Sequence, residues 1–345
     1  MTGRERIMAA LWGTACDRPP VSLTLSLYGA GLIDCPLKEY YTHSGYYAEG
    51  QLAVMETIGP DVLFTPFTLA SIGKAFGSEV VYFDSAPPNV TVPWTESAKQ
   101  AAAFEPERVF QHAAIQYLVE AAERLTKNLG DHTAVAGVML SPVDLPPMLM
   151  GMEAWLNTIL FEEEEAAIIL KKTTQLYWLI TDALFSRSIP FLALPMAFCN
   201  PRLVTKGLVE RLFMPVLEEA FYQTKGPVVL HHAGMPMNPF LPLLKTLPQV
   251  IGFVLDPADS FTQARKMAGE GPVLLGNIDG PTLSMNTPEN VYLRCANILK
   301  KRCGDPHFVL ATSGADIPLQ TPAANIRGIM QAADNHGKAM RYEQG

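Results

Sequence analysis

The chain has 345 residues, 48% of them hydrophobic and 17% charged, enough to bury a large core either as two average domains or as one barrel with insertions. Its formal net charge is −8 and no run of lysine or arginine interrupts the acidic balance, so nucleic acid is not an expected partner. The five cysteines (Cys16, Cys35, Cys199, Cys295, Cys303) contain no CxxC pair, so neither a disulfide framework nor a cysteine zinc cluster is spelled out.

In chain order, the opening MTGRERIMAALWGTACDRPP lacks the apolar core of a signal peptide, and no later stretch holds about 18 uninterrupted apolar residues. A cytoplasmic protein with no membrane partner is expected. VSLTLSL (21–27) and DVLFTPF (61–67) read as strands, with residues 1–60 and SEVVYF (78–83) forming an N-terminal elaboration. From about residue 108 helical and extended patterns alternate. Helices are expected over 108–128, 161–187, 203–224, 260–269, 289–302 and 322–335. Between them lie short, nearly continuous apolar runs: TAVAGVML (133–140), PFLALPMAF (190–198), PVVLHH (227–232), VIGFVLD (250–256), PVLLGN (272–277) and HFVLAT (307–312). Strands buried on both faces have this composition. Eight strands alternating with helices close a (β/α)8 TIM barrel; the rival, an open doubly wound sheet, lacks any GxGxxG after a strand. A single domain over residues 1–345 is the simplest organisation.

In a parallel barrel the chemistry sits at the carboxyl ends of the strands. The polar residues there are Ser141, Asp144, Asn200, His231, His232, Asp256, Asn277, Asp279, Ser313 and Asp316. Asp144, Asp259 and Asp316 read equally well as helix caps. His231 and His232 are adjacent on a strand, so only one faces the barrel axis. Asp256 ends an apolar strand, where a carboxylate has to be paired, hydrogen-bonded or protonated, and it is the expected acid of raised pKa. Asn277 and Asp279 follow Gly276, which permits close backbone approach to a ligand or simply a turn. Tyr28, Phe67, Met139, Met196 and Phe198 are candidate apolar walls, with His232 and Asp316 as further substrate contacts; core packing accounts for the walls equally well.

Several stretches resemble the uroporphyrinogen decarboxylase superfamily, especially its corrinoid-dependent methyltransferase branch. They are TGRERIMAALWG with DRPP (17–20), FGSEVVYFDSAPPNV (76–90), VVLHHAGMPM (228–237), GFVLD (252–256), LLGNID (274–279) and TSGADIPLQTPAANI (312–326). The resemblance implies a barrel, with His231 as the inward histidine of a His-x-Cys-Gly motif. In members that methylate thiols, this histidine, the motif's cysteine and a cysteine in the last loop hold zinc; here Ala233 and Ala315 stand at the two cysteine positions. No tightly bound zinc is therefore expected, unless His232 and Asp256 rebuild a site. The decarboxylase itself grips a polycarboxylate with arginines, and VSLTLSLYGAGLIDCP (21–36) contains none, so a small, largely apolar substrate is expected in its place.

What the resemblance implies is methyl transfer from a small methylated compound, best a methoxylated aromatic, to the cobalt of a corrinoid (cobalamin) held by a separate partner protein. His231 and Asp256 would be the acid and its supporter, with Asn277 and Asp279 beside them. A zinc-dependent thiol methyltransferase with a rearranged metal site and a non-catalytic binding protein are the alternatives, and a homodimer is left open.

Overall fold

The computed structural model describes residues 1–344, with side chains described to Met340. The apolar runs form short strands: β1 (Val21–Ser22), β2 (Val62–Phe64), β3 (Glu79–Val81), β4 (Asn89–Val92), β5 (Ala134–Val138), β6 (Phe191–Pro195), β7 (Val228–His231), β8 (Val250–Val254), β9 (Val273–Asp279) and β10 (Phe308–Ser313). Eight of them close a barrel in the order β1-β10-β9-β8-β7-β6-β5-β2, and every pairing around it is parallel. The fold is the expected (β/α)8 TIM barrel. SEVVYF lies instead in a separate antiparallel pair, β3 with β4.

Residues 1–60 are not an appendage. β1 is a barrel strand held between β10 and β2, and the helix Ser44–Thr57 crosses from β1 to β2. The first helix, Gly3–Trp12, starts at a capping box in which Thr2 and Glu5 satisfy each other's backbone N–H groups, and ends at Gly13 with φ 66°. Its Ile7, Ala10 and Leu11 join the side chains that fill the barrel, among them Val62, Ala136, Phe191, Val229, Leu275 and Val309. That helix packs on β2, β5 and β10 and closes the amino-terminal end of the barrel.

The expected outer helices are present with altered breaks. The stretch 161–187 holds the helix Glu163–Phe185, and a separate helix, Met152–Phe161, precedes it. The stretch 203–224 contains a π turn, Val209–Phe213, directly before Met214–Tyr222; Pro215 has no N–H for an α ladder, and the wider turn precedes it. The last helix runs Ala323–Gln344.

The DRPP segment ties the closed end together. Asp61 is 2% exposed and receives Arg18 through two hydrogen bonds of 2.6 and 3.2 Å, Arg6 at 3.1 Å and the Val21 N–H at 2.8 Å. Arg18 also pairs with Asp334 at 2.8 Å on the last helix, and Arg6 holds Asp17 well below the usual carboxylate range by hydrogen bonding. Removing one partner from a buried network leaves an under-compensated charge. Arg18→Ala is therefore expected to cost about 3 kcal/mol of unfolding free energy, at the low end of the range for such losses because Arg6 still reaches Asp61. Urea titration checks this, and a loss well under 1 kcal/mol would show that Arg6 alone suffices.

Candidate active site

β7 ends at His231 and the chain continues directly into His232. His231 faces the barrel interior and lines a cavity of about 370 Å³ at the carboxyl end. His232, just past the end of the strand, is 3% exposed and packs beside it. Directly after them the chain turns through two left-handed residues, Ala233 at φ 50° and Gly234 at φ 84°, and the two rings stack with centroids 4.4 Å apart. His231 Nδ1 accepts the Ala233 N–H at 3.0 Å, which leaves Nε2 to carry the ring's proton. Burial, with His232 adding to it, drives its pKa down to about 3. His231 is thus a neutral hydrogen-bond donor.

His232 is a bridge. Its Nε2 accepts the Gly314 N–H of the last loop at 3.0 Å, so its proton sits on Nδ1, 3.1 Å from Asp256 Oδ2. The Gly234 N–H lies 3.0 Å from that same nitrogen, but a nitrogen that donates to Asp256 has no lone pair to offer it. Burial lowers the pKa of His232 while Asp256 and Asp259 oppose the shift.

The cavity walls are Phe67, Leu140, Met148 and Phe198, with Met152, 44% exposed, at its opening. Two ionisable side chains reach it, His231 and Asp144. Asp144 is 3% exposed; Oδ1 accepts the Phe198 N–H at 2.8 Å and Oδ2 is hydrogen-bonded to the Ser141 hydroxyl. Burial pushes its pKa up to about 7, against those hydrogen bonds. Below His231, Phe64, Phe191, Val229 and Leu275 leave only about 30 Å³, so the cavity has a packed floor.

Of the residues expected at the site, His231, Phe67 and Phe198 line the cavity. Met139 and Met196 do not: they are 0% and 2% exposed and pack in the core between barrel and helices. Tyr28 is buried in another cluster with its hydroxyl donated to the Thr321 carbonyl. Asp256 pairs with His232 and not with His231, which corrects the expected acid pair. Asn277 donates to the carbonyls of Asp256, Pro257 and Asp259 at 3.1 to 3.3 Å and so shapes the loop after β8. Asp279 ends β9 in register with Ser313. Asp316 accepts the Leu27 N–H at 3.1 Å, leaves Oδ2 without a hydrogen-bond partner, and is pushed up to about 7 by burial. It lies beside the N-terminal segment, outside the cavity wall.

Asp144, which the sequence allowed equally as a strand-end polar residue or a helix cap, is a lining residue of the cavity. The helix that follows, Pro146–Met150, begins at Leu145 with no side-chain cap, and Asp144 lines the cavity with its carboxyl held by Phe198 and Ser141. Its distinguishing signal was a carboxylate flanked by Val143, Leu145 and prolines, with Ser141 as the polar side chain near it in sequence.

The zinc implied by the thiol-methylating relatives does not fit. His231, Ala233 and Ala315 all line the cavity, so the two alanines stand where the thiolates would converge. The His231 tautomer presents Nε2–H, whereas a metal-binding imidazole needs a free nitrogen and donates from the other one. Among the described residues no group of three or more His, Cys, Asp or Glu is arranged to hold a metal ion. His232 and Asp256 are engaged with each other and with Gly314.

A family model described as uroporphyrinogen decarboxylase matches residues 2–336. Among solved structures the chain is similar to a methyltransferase from Methanosarcina mazei, at 21% identity and TM-score 0.86, covering 97% of this chain and 99% of that one. It is also similar to a B12-independent methionine synthase from Shewanella sp. W3-18-1, at 14% identity and TM-score 0.57, covering 89% and 90%. No curated protein matches in sequence. At these identities the structural likeness shows the fold. No helix among the described residues is long and apolar enough to cross a membrane.

Proposed function

The chain belongs to the uroporphyrinogen decarboxylase family, and within it we propose that it moves a methyl group from a small methoxylated aromatic to the cobalt of a corrinoid carried by a separate protein. The observation that carries the reading is Asp144, a carboxyl group poised near neutral pH inside an apolar cavity. A polycarboxylate such as a porphyrinogen would meet no lysine or arginine in that wall. Thiol methylation through zinc would need thiolates where Ala233 and Ala315 stand.

An aryl methyl ether is a poor methyl donor because its leaving group is a phenolate, and protonation or strong hydrogen bonding of the oxygen improves it. A corrinoid brought by the partner would supply a nucleophile able to accept the methyl group, with the C–O electron pair passing to oxygen. Asp144 gives its proton to that oxygen and is left as a carboxylate held by the Phe198 N–H and the Ser141 hydroxyl. The Nε2–H of His231 offers a second, neutral hydrogen bond. Phe67, Phe198 and Met148 hold the arene in place and keep water out. The partner docks over the open mouth beside Met152, and solvent returns the proton to Asp144 after release.

The test is a screen of methoxyarenes, methylamines and methyl thiols with cob(I)alamin, read by the absorbance of methylcobalamin. Transfer from methoxyarenes is expected. Transfer from no donor would favour a binding protein, and zinc-dependent thiol methylation would favour the rearranged metal site; either would sink the proposal.

A further inference from the structure

The cavity at the barrel mouth restricts the charge of its ligand. Asp144 and His231 are its ionisable side chains, and no lysine or arginine among the described residues lines it. Backbone N–H groups of the lining loops could stand in for a cation, as in anion-binding nests. Several are already taken: Phe198 donates to Asp144, Ala233 to His231 and Gly314 to His232. His231 brings one neutral donor and no charge. A carboxylate entering this space would leave its water without gaining a counterion, and would face the carboxyl of Asp144 across apolar walls.

We infer that the cavity admits uncharged methoxyarenes and excludes the same arenes when they carry a carboxylate. The inference rests on the proposed function for the methyl ether alone; the selection by charge belongs to the cavity and is read by binding to the protein without any corrinoid.

The experiment compares 4-methoxybenzamide with 4-methoxybenzoate by isothermal titration calorimetry at pH 8. The two differ little in shape and by one charge. The amide is expected to bind at least about tenfold more tightly, the scale set by leaving a charge poorly compensated. Asp144→Asn removes the like charge and Met152→Arg adds a cation at the opening, where Met152 is 44% exposed. Each is expected to narrow the ratio, the second by tightening the benzoate. Equal affinities, tighter binding of the benzoate, or binding of neither compound would overturn the inference. So would a ratio that both variants leave unchanged, because shape and not charge would then be selecting. Binding of the amide without its demethylation leaves the charge selection standing and defeats the methyl-transfer reading.

Discussion

Asp144→Asn is expected to lower demethylation of an unactivated aryl methyl ether by about a hundred- to ten-thousand-fold, the span usual for loss of a general acid. The carboxamide keeps the shape and can still donate a hydrogen bond, so the loss isolates the proton. A methoxyarene with a strongly electron-withdrawing substituent leaves without protonation, and on that donor the same variant is expected to lose far less. In the free enzyme the acid must be protonated, so kcat/KM is expected to fall as pH rises through about 7, and the falling limb is expected to vanish in the variant. Equal losses on both donors would make Asp144 a positioning residue.

Folding is a separable control, because the sign of its pH dependence is fixed. The pKa of Asp144 is raised on folding from 3.8 to about 7. The native state therefore keeps a proton that the unfolded chain has lost, and the associated stability is present below about pH 4 and lost as pH rises through 7. At pH 8 the asparagine variant is expected to be no less stable than the parent. Lost activity with intact folding then reports on chemistry.

The second large effect concerns zinc affinity. Ala233→Cys with Ala315→Cys is expected to raise zinc affinity at least about a hundredfold, since thiolates bind this ion strongly. Ala233 already sits at φ 50°, so cysteine adds little backbone strain there. His231 would have to move its proton from Nε2 to Nδ1 and give up the Ala233 N–H bond, which holds the gain below that of a site built for zinc. Competition against a chromogenic chelator measures it, with the parent as reference. No gain would mean that the two loops do not hold positions 233 and 315 at a common centre.

The barrel was legible because a strand buried on both faces needs a continuous apolar run, and that run is a local property of the sequence. Its carboxyl-end residues were legible for the same reason. Which of them enter the cavity was not, because that depends on side-chain parity and on how each loop turns. His231 follows parity and faces inward. Met139 and Met196 lie beyond the ends of β5 and β6 and pack outward against the helices. Asp256 closes an apolar run and Asp144 follows one by four residues, and neither position tells which cavity or partner its carboxylate meets. The loop after β8 folds back on Asp259 and Asn277 and turns Asp256 toward His232. The loop after β5 binds Asp144 to the chain after β6 through the Phe198 N–H. Those are contacts between distant segments, 54 residues apart in the second case, and no local pattern announces them.

Because the helix Gly3–Trp12 stoppers the barrel from below and Phe64, Phe191 and Val229 fill the space under His231, the cavity is closed toward the amino-terminal end and opens at the mouth. On the proposed reaction, a small donor and a protein laying its cofactor over the same opening could not pass each other there. The donor would have to be seated before the partner arrives, and the demethylated arene would have to wait until the partner leaves. Turnover of that kind would be a matter of queueing, with the order of arrivals imposed by the closed end of the barrel, some distance from any group that would touch the methyl carbon.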